Sequence, residues 1–137
     1  MTSAARNLAY VYLIAACACV AAWQDCAAEP DGGSASIDFN KHIRPILSDK
    51  CFHCHGPDSA AREADLRLDR EESALEDRGG YAAVVPGDPA ASELMRRVTS
   101  DDEYERMPPP EMGKPLDPDE VDILRQWIAA GAGWSPA

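Results

Sequence analysis

Apolar positions change their spacing several times along this chain, and each change marks a boundary. Leu8 to Trp23 is apolar and alanine-rich without a single charge. Phe39, Ile43, Ile46 and Leu47 then recur at helical spacing, which predicts a helix over 38–50, with Pro45 kinking it or shifting its start. In the middle, Leu66 and Leu68 alternate with polar residues, and Ala82 to Val85 is apolar and partly β-branched. These read as two short extended segments, able to pair with each other. Glu71 to Glu76 makes a helical turn between them, and Pro86-Gly87 is a turn signal. Asp88-Pro89 has the form of an N-cap with proline in the first helical position, opening a helix through Leu94, Met95 and Val98. The last helix is the best signalled: Asp117 caps it, Pro118 takes its first position and Glu120 completes a capping box. Val121, Leu124, Trp127 and Ile128 form its apolar stripe, and Gly131 ends it. The pattern predicts a mostly α fold, one small helical domain with a short irregular or extended middle, and no internal repeat.

The first apolar stretch stands apart from that domain. It is short against the roughly 20 apolar residues a membrane span needs. With Arg6 and the terminal amine as a basic start, it fits an export signal, with cleavage before Glu29. Ile14-Ala15-Ala16-Cys17 also resembles a lipoprotein signal, in which Cys17 would be lipidated and kept as an anchor, and an uncleaved anchor is a third option. The expected organisation is a signal over 1–28, a Pro/Asp/Gly/Ser tether over 29–36 and a domain over 37–135. The expected location is outside the cytoplasm, periplasmic or membrane-anchored and facing the periplasm. The formal net charge of −11 makes nucleic acid an unsuitable partner, because phosphate binding needs clustered Lys and Arg. It suits steering toward the basic docking face of another redox protein.

Chemistry concentrates in one motif. Of the five cysteines, Cys17, Cys19 and Cys26 sit in or beside the signal. Cys51 and Cys54 belong to Cys51-Phe52-His53-Cys54-His55, the attachment signature for c-type haem. Two thiols one helical turn apart can add to the two vinyl groups on one edge of a porphyrin. The next residue, His55, then lies under the ring with an imidazole nitrogen facing the iron. A domain this small has a limited core of its own, and the haem would become its centre. Met107 is the expected second axial ligand, because Pro108, Pro109 and Pro110 would hold its loop at a fixed distance. A thioether favours ferrous iron and raises the reduction potential. Met112 and His42 compete with it; Met95 sits on a core stripe, and His53 lies within the motif but points away. Trp127 is expected to pack against the first helix or the haem edge. Arg44, Arg67 and Lys114 are candidate partners for the haem propionates.

Together these segments resemble the Planctomycete-type cytochrome c domain. The resemblance is carried by Ile43-Arg44-Pro45-Ile46-Leu47, the haem motif with Gly56, Leu66-Arg67-Leu68-Asp69 and Val84-Val85-Pro86-Gly87-Asp88-Pro89. Met107-Pro108-Pro109 and Leu124-Arg125-Gln126-Trp127-Ile128-Ala129-Ala130-Gly131-Ala132 complete it, so that it runs from about Phe39 to Trp134. It implies a cytochrome c-like helical fold around one covalent haem c held by Cys51 and Cys54, with His55 as proximal and Met107 as distal ligand. In that family the domain often opens a much longer chain, whereas this sequence stops at Ala137.

With both axial positions filled by protein, the iron has no open site, and the expected role is one-electron carriage rather than catalysis. A labile distal ligand would instead make a redox-enzyme domain or a gas sensor. Cys51-Phe52-His53-Cys54 also resembles a thioredoxin-type pair, though such a site follows a strand. A structural zinc site would have to draw its third and fourth ligands from His42, His53 and His55.

Overall fold

Asp38 stands in extended backbone, and its carboxylate accepts the Lys41 N–H at 2.8 Å, so the first helix starts there. The computed structural model describes residues 37–113 and 115–135. The signal, the tether, Cys17, Cys19, Cys26 and Lys114 lie outside the described residues.

The first turn, Phe39–Ile43, is a π-helical one, in which the Arg44 N–H reaches back to the Phe39 carbonyl. Helix α1, Arg44–Lys50, follows with Pro45 in its first turn. The widened turn is the physical answer to Pro45. A proline ring clashes with the carbonyl four residues back and has no N–H to offer it, and a π turn opens that space. The expected single helix is therefore two joined pieces. Phe39, Ile43, Ile46 and Leu47 all face the core.

Cys51 breaks the direction of the chain, and a one-turn helix α2, Phe52–His55, follows directly. Further on come α3, Glu71–Leu75, and α4, Glu93–Val98. The closing helix α5, Pro118–Ala129, buries Leu124, Trp127 and Ile128. It starts where the sequence predicts. The capping box forms, with the Glu120 carboxylate accepting the Asp117 N–H at 2.8 Å. Asp117→Ala is expected to cost about 1 kcal/mol, read as a lower urea midpoint at unchanged slope. An unmoved midpoint would show that the box carries no stability.

Two sequence expectations for the middle fail. The segments around Leu66 and Ala82 do not pair with each other. Leu68 donates its N–H to the His55 carbonyl at 2.8 Å, and Val84 donates to the Ala74 carbonyl at 2.9 Å. Among the described residues the β-bridging is limited to one isolated parallel contact, Ala82 with Ser92, and no strand forms. Each segment finds its partners in the helices beside it. The helix after Pro89 also starts later than its proline suggests, at Glu93 with Ser92 before it. The Asp88 carboxylate spends itself on the Ala90 and Ala91 N–H groups, both at 3.0 Å, closing a tight turn instead. Ser92 is buried, and its hydroxyl donates to the Asp88 carbonyl and accepts the Val85 N–H.

The core gathers Phe39, Ile43, Leu47, Leu94, Met95, Leu124, Trp127 and Ile128. Met95 is core, as its place on a helical stripe implies. Trp127 packs on the first helical turn: its ring lies 5.8 Å from Phe39 and 5.3 Å from Trp134, and Trp134 closes the trio 4.5 Å from Phe39. The Trp127 indole N–H donates to the Gly133 carbonyl at 3.0 Å, so its polar end is satisfied inside.

Candidate functional site

The Cys51 carbonyl organises the motif locally. It accepts the Cys54 N–H at 3.2 Å and the His55 N–H at 2.8 Å, so Cys51, Cys54 and His55 stand on one face of a single turn. Gly56 ends that turn under close constraint. A Cβ there would meet the Phe52 carbonyl oxygen at 2.2 Å, so only glycine fits. The loop from Pro57 then folds back over the turn. Glu63 donates to the Cys54 carbonyl at 2.7 Å, and Arg62 holds the Gly56 and Pro57 carbonyls.

Met107 is placed from the other side, by α4. Its N–H donates to the Arg97 carbonyl at 3.1 Å, and Arg97 Nη1 reaches the Glu105 carbonyl at 3.3 Å. Arg96 ties the same loop through the Glu105 carboxylate at 2.6 Å. Pro108 and Pro109 continue from Met107 along the cavity wall.

Two cavities meet at these residues. One, of about 300 Å³, is bordered by Cys51, His53, Cys54, His55, Met107 and Met112 among others. The second, of about 160 Å³, is bordered by Cys51, His55 and Met107 again, with Leu66, Leu68 and Leu94 as apolar wall. Cys51, His55 and Met107 thus border both cavities, although Met107 is remote in sequence from the other two. Met112 borders the first cavity but is 52% exposed. His42 borders neither cavity. It lies in the first helical turn, where its Nδ1 accepts the Asp38 N–H.

Electrostatics at the motif are set by burial. Cys51 is pushed up to about 12, first by burial and then by the Glu120 and Cys54 charges, with Lys50 opposing. Both thiols are free, without a disulfide. His55 is lowered by burial, with the Glu63 backbone and carboxylate pulling the other way and Arg78 adding to the fall. Its Nδ1 is buried with no hydrogen-bond partner. Burial thus favours the neutral imidazole, the form that can ligate a metal.

Glu93 on α4 borders the second cavity and takes Arg96 at 2.6 Å and Arg97 at 2.7 Å. The hydrogen bond from Arg96, then that from Arg97, hold its carboxyl down at about 2, against desolvation. Because the folded value lies below the ordinary 4.5, the stability it supplies is complete above that pH and fades as pH falls through about 2. Glu93→Gln is thus expected to melt below wild type at pH 7, with the gap closing in that acid window. A gap of constant size down to pH 2 would contradict the assignment.

Of the propionate candidates read from the sequence, Arg44 and Arg67 do not border the second cavity, and Lys114 lies outside the described residues. Arg67 is bound by Asp69 beside it, and Arg44 lies on a separate cavity with Phe39 and Trp134. Arg78, Tyr81, Glu93 and Arg97 border the second cavity instead. Glu93 and Arg97 stand one turn apart on α4, whereas Arg78 and Tyr81 come from the loop after α3, where no periodicity or motif marks them. Among the described residues no three His, Cys, Asp or Glu side chains are grouped to hold a metal ion, so the zinc reading lacks its donor set. Nor is any helix among them long and apolar enough to cross a membrane.

Residues 51–111 match the family model described as Planctomycete cytochrome C. The match begins at Cys51 and ends just beyond the prolines that follow Met107. No curated protein and no solved structure matches the chain.

Proposed function

We propose that this chain, with its Planctomycete cytochrome C segment at residues 51–111, carries one covalent haem c and moves single electrons through it in an exported compartment. The observation that carries the reading is the convergence of Cys51, His55 and Met107 on the same pair of cavities. The residues fit the group on several counts. Cys51 and Cys54 are unbridged thiols one turn apart, suited to two thioether bonds. His55 is half-buried, its neutral form is favoured by desolvation, and its buried Nδ1 has no partner. Met107 offers a soft sulfur from a braced loop. When bound, the haem supplies a one-electron couple, and its potential is raised by a His/Met ligand pair.

The protein's own part is to hold, shield and orient. Leu66, Leu68 and Leu94 supply an apolar wall that keeps water from one side of the site. With haem bound, Met107 on its braced loop would be the residue that shields the iron from other ligands. The acidic surface favours redox partners with a basic docking face. A membrane anchor on the N-terminal segment, by lipidation of Cys17 or by an uncleaved signal, would confine the carrier to the periplasmic face.

The thiol–disulfide reading is weaker on a specific ground. A redox-active cysteine needs a lowered pKa, and Cys51 is raised to about 12. The deciding experiment is a haem stain and intact mass on chain produced with haem-attachment machinery, followed by the optical band of an iron–methionine sulfur bond. A mass equal to the bare processed chain would sink the proposal. A haem-loaded chain without the band would leave covalent attachment standing and turn the carrier into a protein with an open or differently filled site.

A further inference from the structure

We propose that Arg78 binds a haem propionate, donating its Nε–H across the second cavity; this rests on the haem reading above. Among the described residues, the buried side-chain nitrogens without a partner are His55 Nδ1, Arg78 Nε, Arg106 Nε and Trp134 Nε1. Of these, His55 and Arg78 border the second cavity. His55 has a role there already. Arg78 does not.

The rest of the Arg78 guanidinium is committed to neutral acceptors. Nη1 donates to the Ala64 carbonyl at 3.0 Å, and Nη2 donates to the Asp65 carbonyl at 3.2 Å and the Ser73 hydroxyl at 3.3 Å. Its one carboxylate neighbour, Glu76, is 3.4 Å away with a side chain 63% exposed, so water weakens that pair. The side chain of Arg78 itself is only 16% exposed. A cation buried this far, with a donor left over, is costly unless an anion completes it.

The other charges on this cavity are balanced within the protein. Arg97 is held by Glu93 at 2.7 Å and by the Glu105 carbonyl. Glu93 is shared with Arg96. Tyr81 is half-exposed. Arg78 is therefore the cation of the cavity that lacks a buried counter-charge, and a haem brings carboxylates as its charged substituents. The contact also has a structural logic. Ala64 and Asp65 both hold left-handed backbone, with φ of 54° and 49°, in the loop that returns over His55. One guanidinium would tie that loop, through their carbonyls, to the edge of the cofactor. An unpaired propionate charge stabilises the ferric state, so a paired one raises the potential.

Resonance Raman spectra of the haem-loaded full chain test this, because the propionate bending band moves down when its hydrogen bond is lost. Arg78→Met is expected to shift the band down and lower the reduction potential. Arg78→Lys keeps the charge but not the Nε–H, so the band still shifts while the potential falls less. If Arg78→Met fails to fold, Arg78→Lys decides. A merely structural Arg78 would lower the melting temperature of both variants and leave the band in place, and that result overturns the proposal. Wild-type chain that acquires no haem would overturn the parent reading and this one together; haem-loaded, methionine-ligated variants with an unmoved band overturn this one alone.

Discussion

The Cys51→Ala, Cys54→Ala double variant is expected to leave haem-attachment machinery at the mass of the bare chain, with no haem stain after denaturing electrophoresis. Both thioether bonds would be gone. His55 and Met107 could then hold the cofactor only by coordination, which denaturation releases. Each single variant keeps one anchor and is expected to keep the stain. In the double variant the loss should be complete, because no other free thiol in the described domain can substitute. A double variant that still ran with covalent haem would refute the motif assignment outright.

Met107→Ala is expected to abolish the iron–sulfur band of the oxidised protein and to lower the potential. The fall should be an appreciable part of the roughly 0.8 V range that axial ligands set. The attached haem should remain, because Cys51 and Cys54 are untouched. Met112→Ala is the control. Met112 shares the first cavity but is half-exposed, beyond the proline turn in which its own N–H bonds to the Pro109 carbonyl at 2.9 Å. Its loss should leave band and potential unchanged. If the band disappears with Met112 and survives without Met107, the ligand assignment is reversed.

The motif was legible because its chemistry is local. Cys51, Cys54 and His55 need only one helical turn to come together, and a five-residue pattern carries that. The closing helix was legible for the same reason, since Asp117, Pro118 and Glu120 act within one turn of each other. Pro45 announced a disturbance, and the π turn before it is the form the disturbance takes. What escaped the sequence is what the loops decide. Leu68 and Val84 alternate or branch like strand residues, yet their N–H groups go to the carbonyls of His55 and Ala74 in helices α2 and α3. Asp88 carries cap chemistry, but turn chemistry uses the same carboxylate oxygen first. Arg78 is invisible on this level. It follows a short acidic run and precedes two glycines, and nothing local says that its side chain is largely covered.

The trio of Phe39, Trp127 and Trp134 has a consequence of a different kind. Phe39 stands near the first described residue and Trp134 near the last, and their rings touch. The backbone of the domain thus comes almost full circle, with entry and exit sharing one edge, away from the cavities that Cys51 and Met107 border. A unit with that topology can be spliced into the loop of a host protein as readily as it can be fused at either end, because its gateposts need not be pulled apart.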